Sequence, residues 1–435
     1  MRVVDEKNYD TGLGTGTLGD PKKMATTLMG GTYRTKDTMR PAGISTYDTG
    51  GSATVLDRME NGNNATDSDL ASNSTNTWTN GYVVDAHSNT GLTYDYFFRQ
   101  HNWSGLDGKN RPVSAIVHSG LLNNAYFAPA PFGPNKNGEM VFGRTAGNVP
   151  VAALDVAAHE LMHGVTSFSV SSRTGSGLLS VLYTILGPTS FVFNGSTFPC
   201  STTVLVDSRG TRRPLLCSGG RFVLGAAHPG AINEGFSDVF GTSVEFFFQP
   251  PGSGPLKADY LMAEDIAGFE FAVRSLSDPA SRSIPHDNGA IGYPDHVSKM
   301  LNYALIVTGG TATNPTSVSL APIAFSNGNF LFFFNSGSID GGGVHHNSTI
   351  VSHAFYLAIE GGQNATSGVS VTGVGGANRA QIEKVFFRAM TQLMPNNANL
   401  QTAAAAVIQA ATDLYGPGSA ATQAVTQAMT AVGLR

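Results

Sequence analysis

The chain has 435 residues and a net charge of −5, long enough for two ordinary domains with well-buried cores, so no staple is needed for folding. Charged residues make up only 13% of it, well below the roughly 25% of an average globular protein, and Gly, Ser, Thr and Asn fill the gap, as suits a protein working outside the cell. The small charge and the lack of a Lys/Arg run exclude nucleic acid or an anionic membrane as the expected partner.

Taken in order, the N-terminal MRVVDEKNYD carries charges where a signal peptide needs an apolar stretch, which leaves a cytosolic chain or an already processed one, and the expectation is the processed, mature form without signal peptide or prosequence. Residues 1 to about 150 are rich in Thr, Gly, Asn and Asp, with alternating runs such as Ser114-Ala115-Ile116-Val117-His118 that read as strands. From Leu154 to Val165 the run LDVAAHELMHGV predicts a helix, with Gly164 as its stop signal. A second helix is expected from Ala231 to Phe247, and two more over Ala380 to Leu393 and Leu400 to Leu414, the last stopped by Gly416 and Pro417. The first half should be mostly β and the second mostly α.

Two segments contain no charged residue, Thr174 to Val206 and Met300 to Ile339, yet prolines, glycines and asparagines interrupt both. Neither offers the roughly 20 continuous apolar residues of a membrane span, and both read as strand-and-turn insertions. Cys200 and Cys217 lie 17 residues apart, outside any Cys-x-x-Cys pattern. A single local disulfide is expected, with two unpaired thiols as the alternative.

His159-Glu160-Leu161-Met162-His163 puts two imidazoles at i and i+4, on one helix face, where they can grip one metal ion while Glu160 takes a proton from water. Catalytic zinc needs a third protein ligand and an open position. Asn233-Glu234-Gly235-Phe236-Ser237-Asp238 supplies the candidate in Glu234, and Asp238, one turn on, could accept a hydrogen bond from a ligand histidine's other nitrogen. Without that context, the histidines and the carboxylates would each read as a solvated helix face.

HELMH followed by NEGFSD resembles the zinc-ligand helices of thermolysin-like neutral metallopeptidases. LGDPKKM, VDAH with TYDYF five residues on, SGLLNNAYF, SDP, PDHVSK, DGGGVHHNS and ATDLYG resemble family blocks in the family's order. The resemblance spans nearly the whole chain and implies an α+β, two-lobe fold: a β-rich N-terminal lobe, residues 1–172, ending in the HExxH helix, and a mainly helical C-terminal lobe, residues 173–435, carrying two apolar insertions at about 174–228 and 300–339. Zinc is implied in the cleft between them, held by His159, His163 and Glu234.

The resemblance further implies that His345 hydrogen-bonds the oxyanion with Asp340 orienting it, that Asn124 and Ala125 hold the substrate backbone, and that Arg274 binds a substrate carbonyl. Val156 and Val273 match the pocket for the residue after the cut bond, which implies a preference for bulky apolar residues there. Asp155, Glu245, Asp259 and Glu264 match a calcium site, although Leu261 stands where another acidic ligand belongs. A further departure is the separation of 71 residues between His163 and Glu234, which disrupts the region of the family's oxyanion tyrosine; Tyr183 is the one tyrosine in that gap and does not align.

The function expected is therefore a secreted, monomeric, zinc- and calcium-dependent endopeptidase acting on peptides and proteins, with no nucleic-acid or membrane partner. The competing readings are a catalytically silent zinc-and-calcium module and an intracellular zinc hydrolase of non-peptide substrates. The two insertions are expected to lie together along the rim of the cleft, burying Phe191, Phe193, Phe198, Phe330, Phe332, Phe333 and Phe334 against each other or the lobes.

Overall fold

The computed structural model describes residues 9–61, 65–133, 136–266, 272–335 and 339–435; expectations that touch residues 1–8 and 336–338 lie outside them. The chain divides into two compact units, the first comprising Met1–Gly177, Ser237–Arg274 and Phe386–Gln392 and the second comprising Leu178–Phe236, Ser275–Val385 and Leu393–Arg435.

In the first unit, β1 (Tyr9–Thr15), β2 (Pro21–Met29), β3 (Thr32–Arg34), β4 (Lys36–Asp37), β5 (Ile44–Asp48), β6 (Ser72–Asn73), β7 (Thr77–Trp78), β8 (Val113–Val117), β9 (Ala125–Ala128) and β10 (Glu139–Phe142) build two five-stranded sheets, ordered β6-β3-β2-β1-β7 and β4-β5-β8-β10-β9. In the second sheet β5, β8 and β10 run parallel, and β9 closes it as an antiparallel edge strand.

This region is less exclusively β than its composition suggests. It also holds α1 (Ala53–Glu60) and α2 (Gly81–His101), and α2 packs against β2, β5 and β8. The sequence of α2 hides its helix because its buried face is partly polar. That face is satisfied internally: Thr90 and Thr93 donate to the carbonyls of Ala86 and Asn89, Asn89 donates to the Ala152 carbonyl, and His87 lies between Thr46 Oγ1 and the Ala25 carbonyl. Asn80 caps the start through the Tyr82 amide, and Asn102, at φ 51, ends the helix in the left-handed conformation.

The expected helix after Leu154 is present as α3 (Leu154–Thr174), but Gly164 does not stop it; Gly175, at φ 84, does. A Cβ on Gly164 would stand 2.7 Å from Leu106 and 2.9 Å from Phe127. The glycine is there for close packing and not for a turn. The next helix, α4 (His228–Phe248), begins three residues earlier than expected and contributes residues to both units.

The second unit contains a six-stranded sheet in addition to helices, and both charge-free segments supply its strands. Along its main path run β11 (Tyr183–Leu186), β12 (Arg221–Ala226), β13 (Asn302–Gly310), β14 (Pro315–Ser326) and β15 (Asn329–Phe332), each antiparallel to the next, with Cys217–Ser218 pairing beside β12. The period of two sorts side chains to opposite faces. Phe222, Leu224, Ala304, Ile323 and Phe325 pack with Phe191 and Cys200, while Tyr303, Ala324, Leu331 and Phe333 pack with Ile284 and Leu301.

Phe191 of the first segment stacks on Phe330 of the second, ring centroids 4.2 Å apart, and Phe193 and Phe198 join the same cluster. Burying rings of this size stabilises the joint by about 2–3 kcal/mol each. Phe334 is the exception to the expected burial, at 56% exposed. Cys200 and Cys217 form a disulfide, which ties a buried residue of this core to the strand beside β12. The helices that complete the unit are α5 (Asp340–Glu360), α6 (Arg379–Arg388, whose residues from Phe386 on belong to the first unit), α7 (Leu400–Tyr415) and α8 (Ala420–Ala431), with α8 packed on α5 and α7.

Candidate zinc and catalytic site

On α3 the i, i+4 spacing brings the two histidines together as expected: the Nε2 atoms of His159 and His163 are 3.0 Å apart. Each ring is held from behind by α4. Asp238 Oδ1 lies 3.0 Å from His159 Nδ1, and Ser237 Oγ lies 3.1 Å from His163 Nδ1. An imidazole that gives its Nδ1 proton to a carboxylate presents a lone pair at Nε2. With the His163 Nδ1 proton likewise given to the Ser237 hydroxyl, both Nε2 lone pairs enter one small volume, and a donor set of that kind suits a zinc ion.

Asp238 is fully buried and accepts two hydrogen bonds from Arg274, 2.7 Å from Nε and 2.6 Å from Nη2. Burial pushes its carboxyl up, but the Arg274 guanidinium and the facing His159 outweigh that and hold it below the ordinary carboxylate range. Arg274 is itself 9% exposed and does not read as a solvated arginine. Its geometry here is that of a brace on Asp238. Glu160 and Val156 are both buried on α3, whereas Val273 is 38% exposed. Asn124 and Ala125 stand at the start of the edge strand β9, the arrangement that lets an extended peptide add as a further strand.

Glu245, Glu264 and Asp265 bring one carboxylate oxygen each to within 4.8 Å of one another. All four oxygens of Glu245 and Glu264 are buried without a hydrogen-bond partner. Burial and the neighbouring acids push Glu264 up to about 10 and Glu245 well above the ordinary range. Orphaned carboxylates in this number fit a hard cation such as calcium.

The composition of that group differs from the sequence expectation in three members: Asp265 enters it, and Asp155 and Asp259 are not part of it. Asp265 belongs to it, and its only signal in the sequence is adjacency to Glu264. Asp155 spends its oxygens on the amides of Val156 and Ala263, at 2.7 and 2.5 Å, and Asp259 accepts from the Leu261 amide at 2.8 Å. Ser237 was likewise missed, since a serine one position before a recognised aspartate carries no pattern of its own.

In the second unit, Glu234 lies on α4 one turn before Asp238 and is 9% exposed. Its Oε2 is 3.3 Å from His345 Nε2. His345 Nδ1 faces Asp340 Oδ1 at 2.6 Å, while Asp340 Oδ2 accepts the backbone amides of His345 and His346 at 2.8 and 2.9 Å. Burial raises the Asp340 carboxyl, and the His345 hydrogen bond together with both imidazoles brings it below its usual value.

The turn that makes this possible is Gly341-Gly342-Gly343, with φ of 56, 99 and 80. A Cβ on Gly342 would stand 3.1 Å from both Ala227 and Leu182. His346, adjacent to His345, has its Nδ1 3.0 Å from the hydroxyl of the buried Tyr303 and 3.6 Å from Asp340 Oδ2. The Tyr183 hydroxyl donates to the Asn397 carbonyl and its ring packs on His228, so the one tyrosine in the long gap is engaged within this unit.

Comparison with known proteins gives these residues a family context. The family model for the thermolysin metallopeptidase catalytic domain matches residues 11–167, and that for the thermolysin metallopeptidase α-helical domain matches residues 226–434. A bacillolysin from Brevibacillus brevis is 32% identical over all of this chain and 60% of its own length. A thermolysin from Alicyclobacillus acidocaldarius subsp. acidocaldarius is 31% identical, covering 97% of this chain and 57% of its own. The chain thus spans about three-fifths of the length of these curated relatives. The solved structure of a precursor of protealysin, a metalloproteinase from Serratia proteamaculans, aligns with a TM-score of 0.51 at 22% identity, covering 90% of this chain and 87% of that one, a likeness of fold alone. With a β-rich N-terminal domain, a C-terminal α-helical domain and both family models matched in order, the chain belongs to the thermolysin metallopeptidase family.

Proposed function

We propose that the protein is a secreted, monomeric zinc endopeptidase, with His159, His163 and Glu234 as the zinc ligands and Glu160 as general base. The observation that carries this reading is the convergence of two Nε2 atoms 3.0 Å apart, each ring backed by a polar group of the helix that bears Glu234. A zinc ion held there supplies Lewis acidity toward water and the scissile carbonyl. Glu160 takes the proton of the attacking water and returns it to the leaving amine. His345, kept in register by Asp340, donates to the oxyanion as charge develops. Arg274 acts through Asp238, fixing the orientation of His159.

Asn124 and Ala125 hold the substrate backbone along the free side of β9, and Val156 and Val273 line a pocket that favours a bulky apolar residue after the cut bond. Glu245, Glu264 and Asp265 bind calcium, with Asp155 and Asp259 behind them. Polypeptides are the substrates, and neither nucleic acid nor membrane is a partner. Among the described residues no helix is long and apolar enough to cross a membrane. The disulfide agrees with an oxidising, extracellular setting.

Replacing Glu160 with Ala tests the assignment. Hydrolysis of a mixed peptide library should be abolished while metal analysis still finds one zinc per chain. Near-normal turnover, or loss of zinc, refutes the role given to Glu160; a wild-type chain that cleaves no peptide with zinc bound favours the silent module.

A further inference from the structure

A cavity of about 340 Å³ opens in the first unit, lined by Asp48, Tyr82, His118, Ser119, Arg144 and Asn148 together with several glycines. Its position follows from topology. Asp48 ends β5, His118 directly follows β8 and Arg144 comes two residues after β10, so the cavity lies at the carboxyl ends of three adjacent parallel strands. That is where open parallel sheets present loops to ligands.

The lining is arranged for a negative group. Tyr82 belongs to the first turn of α2, a 21-residue helix with no acidic residue in that turn, so the cavity lies beside the positive end of the helix dipole, across from the Asp48 carboxylate that pairs with His118. His118 is fixed: its Nδ1 faces Asp48 Oδ1 at 2.7 Å and its ring packs on Tyr82 with centroids 4.2 Å apart. The Tyr82 hydroxyl donates to Asn148 at 3.1 Å. Arg144 is half-buried on the same wall, and among the described residues no carboxylate stands within ion-pair distance of its guanidinium. By contrast Arg40, Arg58 and Arg274 of the same unit are each locked to an aspartate. A half-buried guanidinium without a carboxylate can take one bidentately.

The backbone of Arg144 also ties the cavity to β9. Its N–H donates to Leu121 O at 2.8 Å and its carbonyl accepts the Asn123 amide at 2.7 Å, while the neighbouring Gly143 donates to Asn124 O at 3.0 Å. The cavity therefore adjoins the loop that leads into the edge strand.

We propose that this cavity is a carboxylate-binding subsite in which Arg144, beside the α2 N-terminus and His118, captures either the C-terminal carboxylate or an acidic side chain of a peptide running off the start of β9. The peptide as ligand rests on the peptidase reading; the carboxylate rests on the cavity itself. The test is calorimetric binding to the full chain in the Glu160→Ala background, which prevents cleavage. The probes are N-acetyl-trialanine with a free C-terminus, its amide, and the amide with one Glu. An acid probe should bind about tenfold tighter than the neutral amide, the size of one charge-assisted contact, and the advantage should shrink in high salt. Arg144→Gln should erase the difference and Arg144→Lys should restore part of it. Whichever acid probe shows the advantage identifies the source of the carboxylate. Equal binding of acid and amide probes, or a preference that survives Arg144→Gln, overturns the proposal. Because the readout is binding, a wild-type chain that cleaves nothing would count against the peptidase reading and not against the subsite.

Discussion

Stripping calcium from the chain should make its stability fall as pH rises from 5 to 7, opposite to the usual behaviour of a carboxylate paired with a cationic side chain. Glu264 is the group that sets the size of the effect. Burial and the charges of Asp155, Asp259 and Asp265 push it up to about 10 from an ordinary 4.5. At pH 7 it therefore folds protonated, while in the unfolded chain it is ionised. The folded state holds a proton that the unfolded state has released, so stability is greatest below about 4.5 and is lost as pH rises toward the folded value. The cost is the distance from 4.5 to the working pH at about 1.4 kcal/mol per unit, which gives about 3 kcal/mol at pH 7 and about 1 at pH 5. It does not depend on the folded value as long as that lies well above 7. Glu245 adds to it in the same direction.

Millimolar calcium should replace those protons, flatten the dependence and stabilise the chain by mass action. The assay is urea unfolding at pH 5, 6 and 7 with a calcium-selective chelator and zinc resupplied, in the Glu160→Ala background to prevent self-digestion. Glu264→Gln should lose most of the calcium response and be more stable than the calcium-free parent at pH 7. A calcium-free parent equally stable at pH 5 and 7, or a Glu264→Gln chain that responds to calcium like its parent, would refute the reasoning.

Arg274→Met should destabilise the chain by about 3–5 kcal/mol, because it leaves the Asp238 carboxylate buried without its guanidinium. It should also weaken zinc by about 10- to 100-fold in chelator competition, since Asp238 orients His159; unchanged zinc affinity would remove Arg274 from that role. Glu139 on β10 is buried, has no partner for either oxygen, and is pushed to about 8 by burial and Glu60. Glu139→Gln should therefore gain stability over the parent, a difference that grows from pH 5 to 8 and reaches about 3 kcal/mol near pH 7. Parallel stability profiles for the two chains would show that Glu139 does not titrate in that window.

What could be read in advance was mostly local. His159 and His163 meet because an α-helix places i and i+4 on one face, whatever surrounds it. Glu234 and Asp238 stand a turn apart on α4 for the same reason. The stop at Gly416 and the strand over Val113–Val117 likewise follow from single residues and short alternation. The helix α2 escaped the same reading because its buried Ser, Asn, Thr and His side chains are tolerated only through partners, some of them far along the chain.

Gly164 marked a false stop because a glycine that permits a turn and a glycine that permits close packing look identical until Leu106 and Phe127 are seen against it. The charge-free segments could be recognised as insertions from composition, but not their merger into one sheet with Phe191 stacked on Phe330. Strand pairing and ring stacking at that separation depend on where the chain returns, which no local pattern encodes.

The sequence by itself determined the types of the candidate ligand and base residues, their helical spacing and the two segments without charge, since each is a property of a few consecutive residues. The tertiary structure alone decided that Ser237 and Asp238 would brace the two imidazoles, that Asp265 would join Glu245 and Glu264 while Asp155 turned to backbone amides, and that Arg144 would stand without a carboxylate beside His118. Those outcomes turn on which buried polar groups find partners, and a buried group is satisfied or orphaned by residues tens or hundreds of positions away.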